Sequence, residues 1–207
     1  MRVLIAFMPS RKMRDNISKV RKIIGIKVEK NSGLKTPHMT IIDNSYSDVK
    51  KVDKELGKIA KFTKPFVAKI KGLDTFVVNK KLKIEKYKQN PLIYLIKNNP
   101  AMNKFRRDLL IQIDSLKTKE RLKQWMKENP EMSKKGLVNV EKYGTAFGLR
   151  EWKFHTTIGL IPKIKQKEIL ERIHKLNIQD NWEINHFGLF VRKNGWVLFK
   201  KYYFKKK

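Results

Sequence analysis

The chain has no cysteine. Disulfides, thiolate metal sites and a cysteine nucleophile are therefore excluded. Acidic residues are scarce: 19 Asp and Glu stand against 49 Lys and Arg, a formal charge of +30. No acidic cluster suited to magnesium or zinc stands out, nor a Gly-rich phosphate loop, nor a Ser-His-Asp arrangement. Long apolar runs are missing too. The N-terminal stretch Met1 to Met8 stops at Pro9, too short for a signal peptide or a membrane span. It reads as a first buried strand, and the protein is expected in the cytoplasm. Histidine is the last scarcity, with four in 207 residues, so where the histidines fall carries information.

What the chain does have is enough apolar material to fold, 41% of residues, and enough length to bury a core. A charge of +30 favours a polyanionic partner, with RNA or another oligonucleotide first. A membrane surface is the weaker alternative, because no basic helix carries bulky apolar residues opposite its charges. A monomer is expected.

Hydrophobic periodicity gives alternating strands and helices. Strands are predicted at Val3–Met8, His38–Asp43, Phe66–Ile70, Thr75–Val78 and Leu92–Ile96, and within Trp182–Phe204, with a turn at Asn194-Gly195. Helices are predicted at Lys12–Ile24, Ser47–Phe62, from Pro100 to about Ile113, and at Lys165–Leu176. The order repeats. Gly72-Leu73 follows His38 by 34 residues, and Gly188-Leu189 follows His155 by 33. An aromatic residue, Phe66 or Trp182, precedes each glycine by six positions. The expected fold is therefore α+β, a single bilobal domain over 1–207 built from duplicated β-α-β-α-β-β units. The repeats run about 1–88 and 89–207. A basic insert at about 116–143 reads as an appended helix and loop, either a clamp over a substrate or a solvated excursion.

Two of the four histidines head the same tripeptide, His38-Met39-Thr40 and His155-Thr156-Thr157. On a strand, residues i and i+2 share a face, so each copy presents one imidazole and one hydroxyl together. If the two lobes pack about a pseudo-twofold axis, the two histidines face each other. One neutral imidazole can take a proton and one charged imidazole can give one, since the ordinary histidine pKa lies near pH 6.5. The hydroxyls of Thr40 and Thr157 can donate to phosphate oxygens as charge develops. Met39, Ile41 and Ile158 are expected to face the core, and Thr156 with them. His174 and His186 read as bland.

These paired His-x-Thr-hydrophobic motifs, in a duplicated α/β chain of this length, resemble the 2H phosphoesterase superfamily. Within it they are most similar to the LigT-like 2′-5′ RNA ligases and cyclic phosphodiesterases. The resemblance implies two antiparallel sheets around a central cleft with helices outside. It also implies cleavage of 2′,3′-cyclic or 2′-5′ phosphodiesters without metal or cofactor. His38, Thr40, His155 and Thr157 then form the catalytic set, with His155 as base and His38 as acid, the pseudo-symmetry leaving the reverse open. The first reading is a phosphodiesterase acting on 2′,3′-cyclic phosphate ends of RNA. The alternatives are cleavage of 2′-5′-linked or cyclic signalling oligonucleotides, 2′-5′ RNA end ligation, and a non-catalytic basic RNA-binding protein. Candidate substrate contacts are Arg11 and Lys12 after the first strand, and Arg150, Trp152 and Lys153 before the second motif. Trp152 and Tyr143 are candidates to stack on a base.

Overall fold

The computed structural model describes residues 1–25, 37–75, 89–145, 153–175 and 181–205. Strands and α-helices alternate along them. They are β1 (Arg2–Phe7), α1 (Arg11–Ile23), β2 (Met39–Ser45), α2 (Val49–Phe62), β3 (Phe66–Thr75), β4 (Gln89–Ile96), α3 (Pro100–Gln112), α4 (Glu120–Glu128), α5 (Lys134–Tyr143), β5 (His155–Pro162), α6 (Gln166–His174), β6 (Asn181–Ile184), β7 (His186–Arg192) and β8 (Trp196–Tyr203).

The helices begin where side chains can satisfy their free amides. Ser10 accepts from the Met13 amide, Asp48 from those of Lys50 and Lys51, and Asn99 from those of Ala101 and Met102 just ahead of the Pro100 turn. Buried residues recur at helical spacing: Met13, Ile17 and Val20 on α1, Val52, Leu56 and Ala60 on α2.

The eight strands form one curled antiparallel sheet, ordered β6-β3-β4-β5-β2-β1-β7-β8. The two sheets expected from the sequence are thus continuous across β5 and β2. The order also exchanges strands between sequence halves. β3, from the first half, pairs with β4, and β7, from the second, pairs with β1. One core spans the junction. Phe105 of α3 lies 5.2 Å from both Phe7 of β1 and Phe187 of β7, and 5.4 Å from Phe204. Such aromatic pairs contribute about 0.5–1.5 kcal/mol each beyond the area they bury.

Other differences from the sequence reading are local. β3 runs unbroken to Thr75, where two strands were predicted, because β4 pairs with it through Thr75↔Leu92. Residues 76–78 lie outside the described residues. Pro91 sits within β4 rather than before it. The insert forms two helices, α4 and α5, instead of a helix and loop. They dock on the far end of β2. Thr118 N–H donates to the Ser45 carbonyl at 2.9 Å, and Gly144, in the left-handed conformation at φ +75°, packs so closely on the Asp43 carbonyl that a Cβ would collide with it. Among the described residues no helix is long and apolar enough to cross a membrane.

The helices cover one face of the sheet. Val3, Ile5 and Phe7 of β1, with Met39 and Ile41 of β2, point into the core shared with α1, α2, α3 and α6. Thr156 is fully buried next to that core, and among the described residues its hydroxyl has no hydrogen-bond partner. A buried unsatisfied hydroxyl costs about 1–3 kcal/mol, and valine keeps its shape. Thr156→Val is expected to raise stability by about 1 kcal/mol, measured by urea unfolding; a loss of stability would show that the hydroxyl is satisfied.

Candidate active site

The two motif strands are adjacent at the centre of the sheet. They meet through one antiparallel pair, Met39↔Thr156. Antiparallel pairing fixes what lies on either side: Thr40 comes abreast of His155, and His38 abreast of Thr157. Directly opposed residues have Cβ atoms about 4.5–5.5 Å apart, and diagonal neighbours lie about 7–8 Å apart, so His38 and His155 occupy diagonal positions across the pair. The central pair faces the helices, so its four neighbours face the other side. Thr40 pairs with Ala6, which belongs to a small cluster with Leu4, Met8 and Phe190 on that face. His38, Thr40 and His155 are half-buried there and Thr157 is exposed. The sheet thus gathers the four motif residues on the side away from the core helices.

The His155 ring is oriented by its own strand entrance. Its Nδ1 lies 2.9 Å from the Lys153 carbonyl. A carbonyl only accepts, so Nδ1 carries hydrogen and, in the neutral ring, Nε2 carries the lone pair. Burial pushes the His155 pKa below the ordinary 6.5, and the Lys153 carbonyl opposes this only in part. Burial thus favours the neutral form of the ring.

Sequence reasoning passed over several residues on this face. His186 and Lys201 flank or pair with Gly188, which pairs with Ala6, so they share the face of Thr40. His186 lies stacked on Tyr203 with ring centroids 5.3 Å apart, and its Nδ1 is 2.6 Å from Asn185 Oδ1. Burial, then Lys201 and Arg14, push its pKa down. Nothing in the sequence marked His186, since it lacks a threonine two residues on; only the register brings it here. At the other end of β2, Asp43 accepts from Arg2 Nε and Nη2 at 2.9 and 2.7 Å, and from Arg121 of α4 at 3.3 Å. This carboxylate ties the insert to the open face. Arg21 of α1 donates to the Ile158 carbonyl at 2.6 Å and fixes α1 to β5.

The other predicted contacts divide. Arg11 and Lys12 are exposed in the first turn of α1, just beyond the end of β1 where Phe7 pairs with Met39. Lys153 is exposed, two residues before His155. Tyr143 is on the helical side, half-buried against the core, with the Arg106 guanidinium 5.8 Å from its ring centre. Arg150 and Trp152 lie outside the described residues. Among the described residues, no group of three or more His, Cys, Asp or Glu side chains gathers as metal ligands would.

No protein-family model matches the chain, and no curated protein matches it in sequence. Solved structures do match. TT0787 of Thermus thermophilus aligns over 98% of this chain and 97% of its own, at TM-score 0.55 and 11% identity. E. coli LigT complexed with 3′-AMP aligns over 99% and 98%, at 0.54 and 10%. Kluyveromyces marxianus Usb1 aligns over 98% and 97%, at 0.53 and 9%. At these identities the likeness is one of fold, a mixed α/β chain around a curled antiparallel sheet; it bears out the α+β architecture that the resemblance implied but neither its two separate sheets nor its duplicated units.

The depressed His155 pKa has a measurable consequence. The unfolded chain takes up more protons than the folded one below pH 6.5, so the stability held by the neutral ring is full above that pH and lost as pH falls through the native pKa. NMR titration is expected to give His155 a midpoint below 6.5 with hydrogen on Nδ1; a midpoint at or above 6.5 contradicts this environment.

Proposed function

We propose that the chain is a phosphodiesterase that hydrolyses 2′,3′-cyclic phosphate ends of RNA, with His38 and His155 as acid and base. The observation that supports this is the antiparallel Met39↔Thr156 pair, which sets two histidines and two threonines on one open face. The fold shared with LigT adds support, since that protein has been solved with 3′-AMP, a nucleoside 3′-phosphate. The +30 charge suits a nucleic acid substrate.

In this mechanism His155 Nε2 takes a proton from water as the water oxygen attacks phosphorus. One ribose P–O bond breaks, and the His38 imidazolium gives its proton to the departing oxygen. Thr40 and Thr157 donate hydrogen bonds to the non-bridging oxygens as their charge grows. The product is a ribose phosphomonoester, and the two rings end with protonation states exchanged and reset through solvent. Each proton transfer contributes about 10²–10⁴ in rate. Burial of His155, which lowers its pKa, supports the base role for it.

The test is turnover, in EDTA, of an RNA ending in a 2′,3′-cyclic phosphate, beside 2′-5′ oligoadenylate and cyclic dinucleotides. The cyclic-phosphate end is expected to react, with a bell-shaped pH–rate profile. His38→Ala and His155→Ala are expected to lower kcat/KM by about 10² or more, and Thr157→Val by about 10². Tight RNA binding without turnover of any substrate, or full activity in either histidine variant, overturns the proposal.

A further inference from the structure

A second cleft, of about 610 Å³, opens where β4 ends and β5 begins. Lys71, Lys97, Arg106, Arg107 and Lys153 line it, and among the described residues no carboxylate does. Five cations around one hollow repel each other unless an anion sits among them. Asn98 and Asn103, also on its wall, are joined by a 2.6 Å hydrogen bond from Asn103 Nδ2 to Asn98 Oδ1, which stiffens the rim at the start of α3. Arg106 is almost wholly buried, and desolvation lowers its pKa to about 10.

The cleft touches both motif strands. Arg106 Nε donates to the Ile41 carbonyl at 3.0 Å, one residue beyond Thr40. Lys153 lies two residues before His155 and holds its ring through the backbone carbonyl. Leu95, another wall residue, pairs with His155. A chain whose end phosphate lies on the motifs therefore has a cationic hollow next to it.

We propose that this cleft is a second phosphate site, which holds a non-scissile phosphodiester of an oligonucleotide while the end phosphate meets the motifs. This rests on the reading of the motif pair as a phosphate site. It makes the substrate class an oligonucleotide end rather than a free cyclic mononucleotide. Lys97 and Arg107 are exposed and set the outer rim, whereas Arg106 is structural as well as charged.

The test reads binding, not turnover, so it succeeds or fails independently of hydrolysis. The full chain is titrated with a trinucleotide ending in a 3′-phosphate and with a nucleoside 3′-monophosphate, across a salt series. Lys97→Glu/Arg107→Glu is compared with Lys50→Glu/Lys51→Glu, an equal charge change on exposed residues of α2. The rim variant is expected to bind the trinucleotide about tenfold or more weakly, with a shallower salt dependence, and the mononucleotide within about twofold of the parent. The α2 variant is expected to bind both within about twofold of the parent. Equal losses in the two variants, or equal affinity of the parent chain for trinucleotide and mononucleotide, overturn the site.

Discussion

One antiparallel pair, Met39 with Thr156, is the constraint on which the candidate site depends. Among the described residues it is the one point of register between β2 and β5, whereas each of these strands pairs at length with its outer neighbour, β1 or β4. Beyond it the inner edge of β2 is met by other groups: the Arg106 guanidinium on the Ile41 carbonyl, Gly144 against the Asp43 carbonyl and the Thr118 amide on the Ser45 carbonyl. Backbone groups freed where two strands part need such partners. The arrangement brings β2 and β5 together at the motifs and lets them diverge past it. A slip of one residue in β2 would turn His38 and Thr40 into the core and Met39 outward, parting His38 from the face that keeps His155.

The same alternation divides labour within each tripeptide. Met39 and Thr156 supply burial on the helical side, while the residues around them supply chemistry on the open side. The core helices hold the sheet from behind, through apolar contacts common to both halves of the chain. Phe105 joins β1, β7 and the residue after β8, and Phe66 of β3 reaches Phe7 at 5.6 Å and Phe204 at 5.8 Å, so the two halves of the sheet cannot shift independently without breaking aromatic contacts. A site formed across a seam needs such a backing, because its geometry is only as firm as the relation between the two strands.

Charge is distributed by the same frame. Near the open face several cations are held by specific partners: Arg2 and Arg121 on Asp43, with Arg2 and Arg192 lying 5.4 and 5.5 Å from the Trp196 ring centre. Where cations surround the hollow at the start of β5, no carboxylate among the described residues joins them. The excess of positive charge visible in the composition is thus unevenly placed, and this cationic region adjoins His155. The insert, a run of lysines in the sequence, uses one arginine and one glycine to dock beside β2: Arg121 of α4 reaches Asp43 on the open face, while Tyr143 of α5 packs against the core on the helical side.

The sequence by itself was enough for α1, α2, α3 and α6, the outer strands, the paired motifs and the inward direction of Met39, Ile41, Ile158 and Thr156, because these follow from periods of 2 and 3.6 that are local properties of a chain. Only the tertiary structure decided that the motif strands share one sheet, that β3 and β7 cross to the opposite half, and that His186 and Arg106 come near the motif strands. Those facts are pairings between residues distant along the chain, set by how a common core closes, and no local pattern of side chains encodes which strand edge meets which.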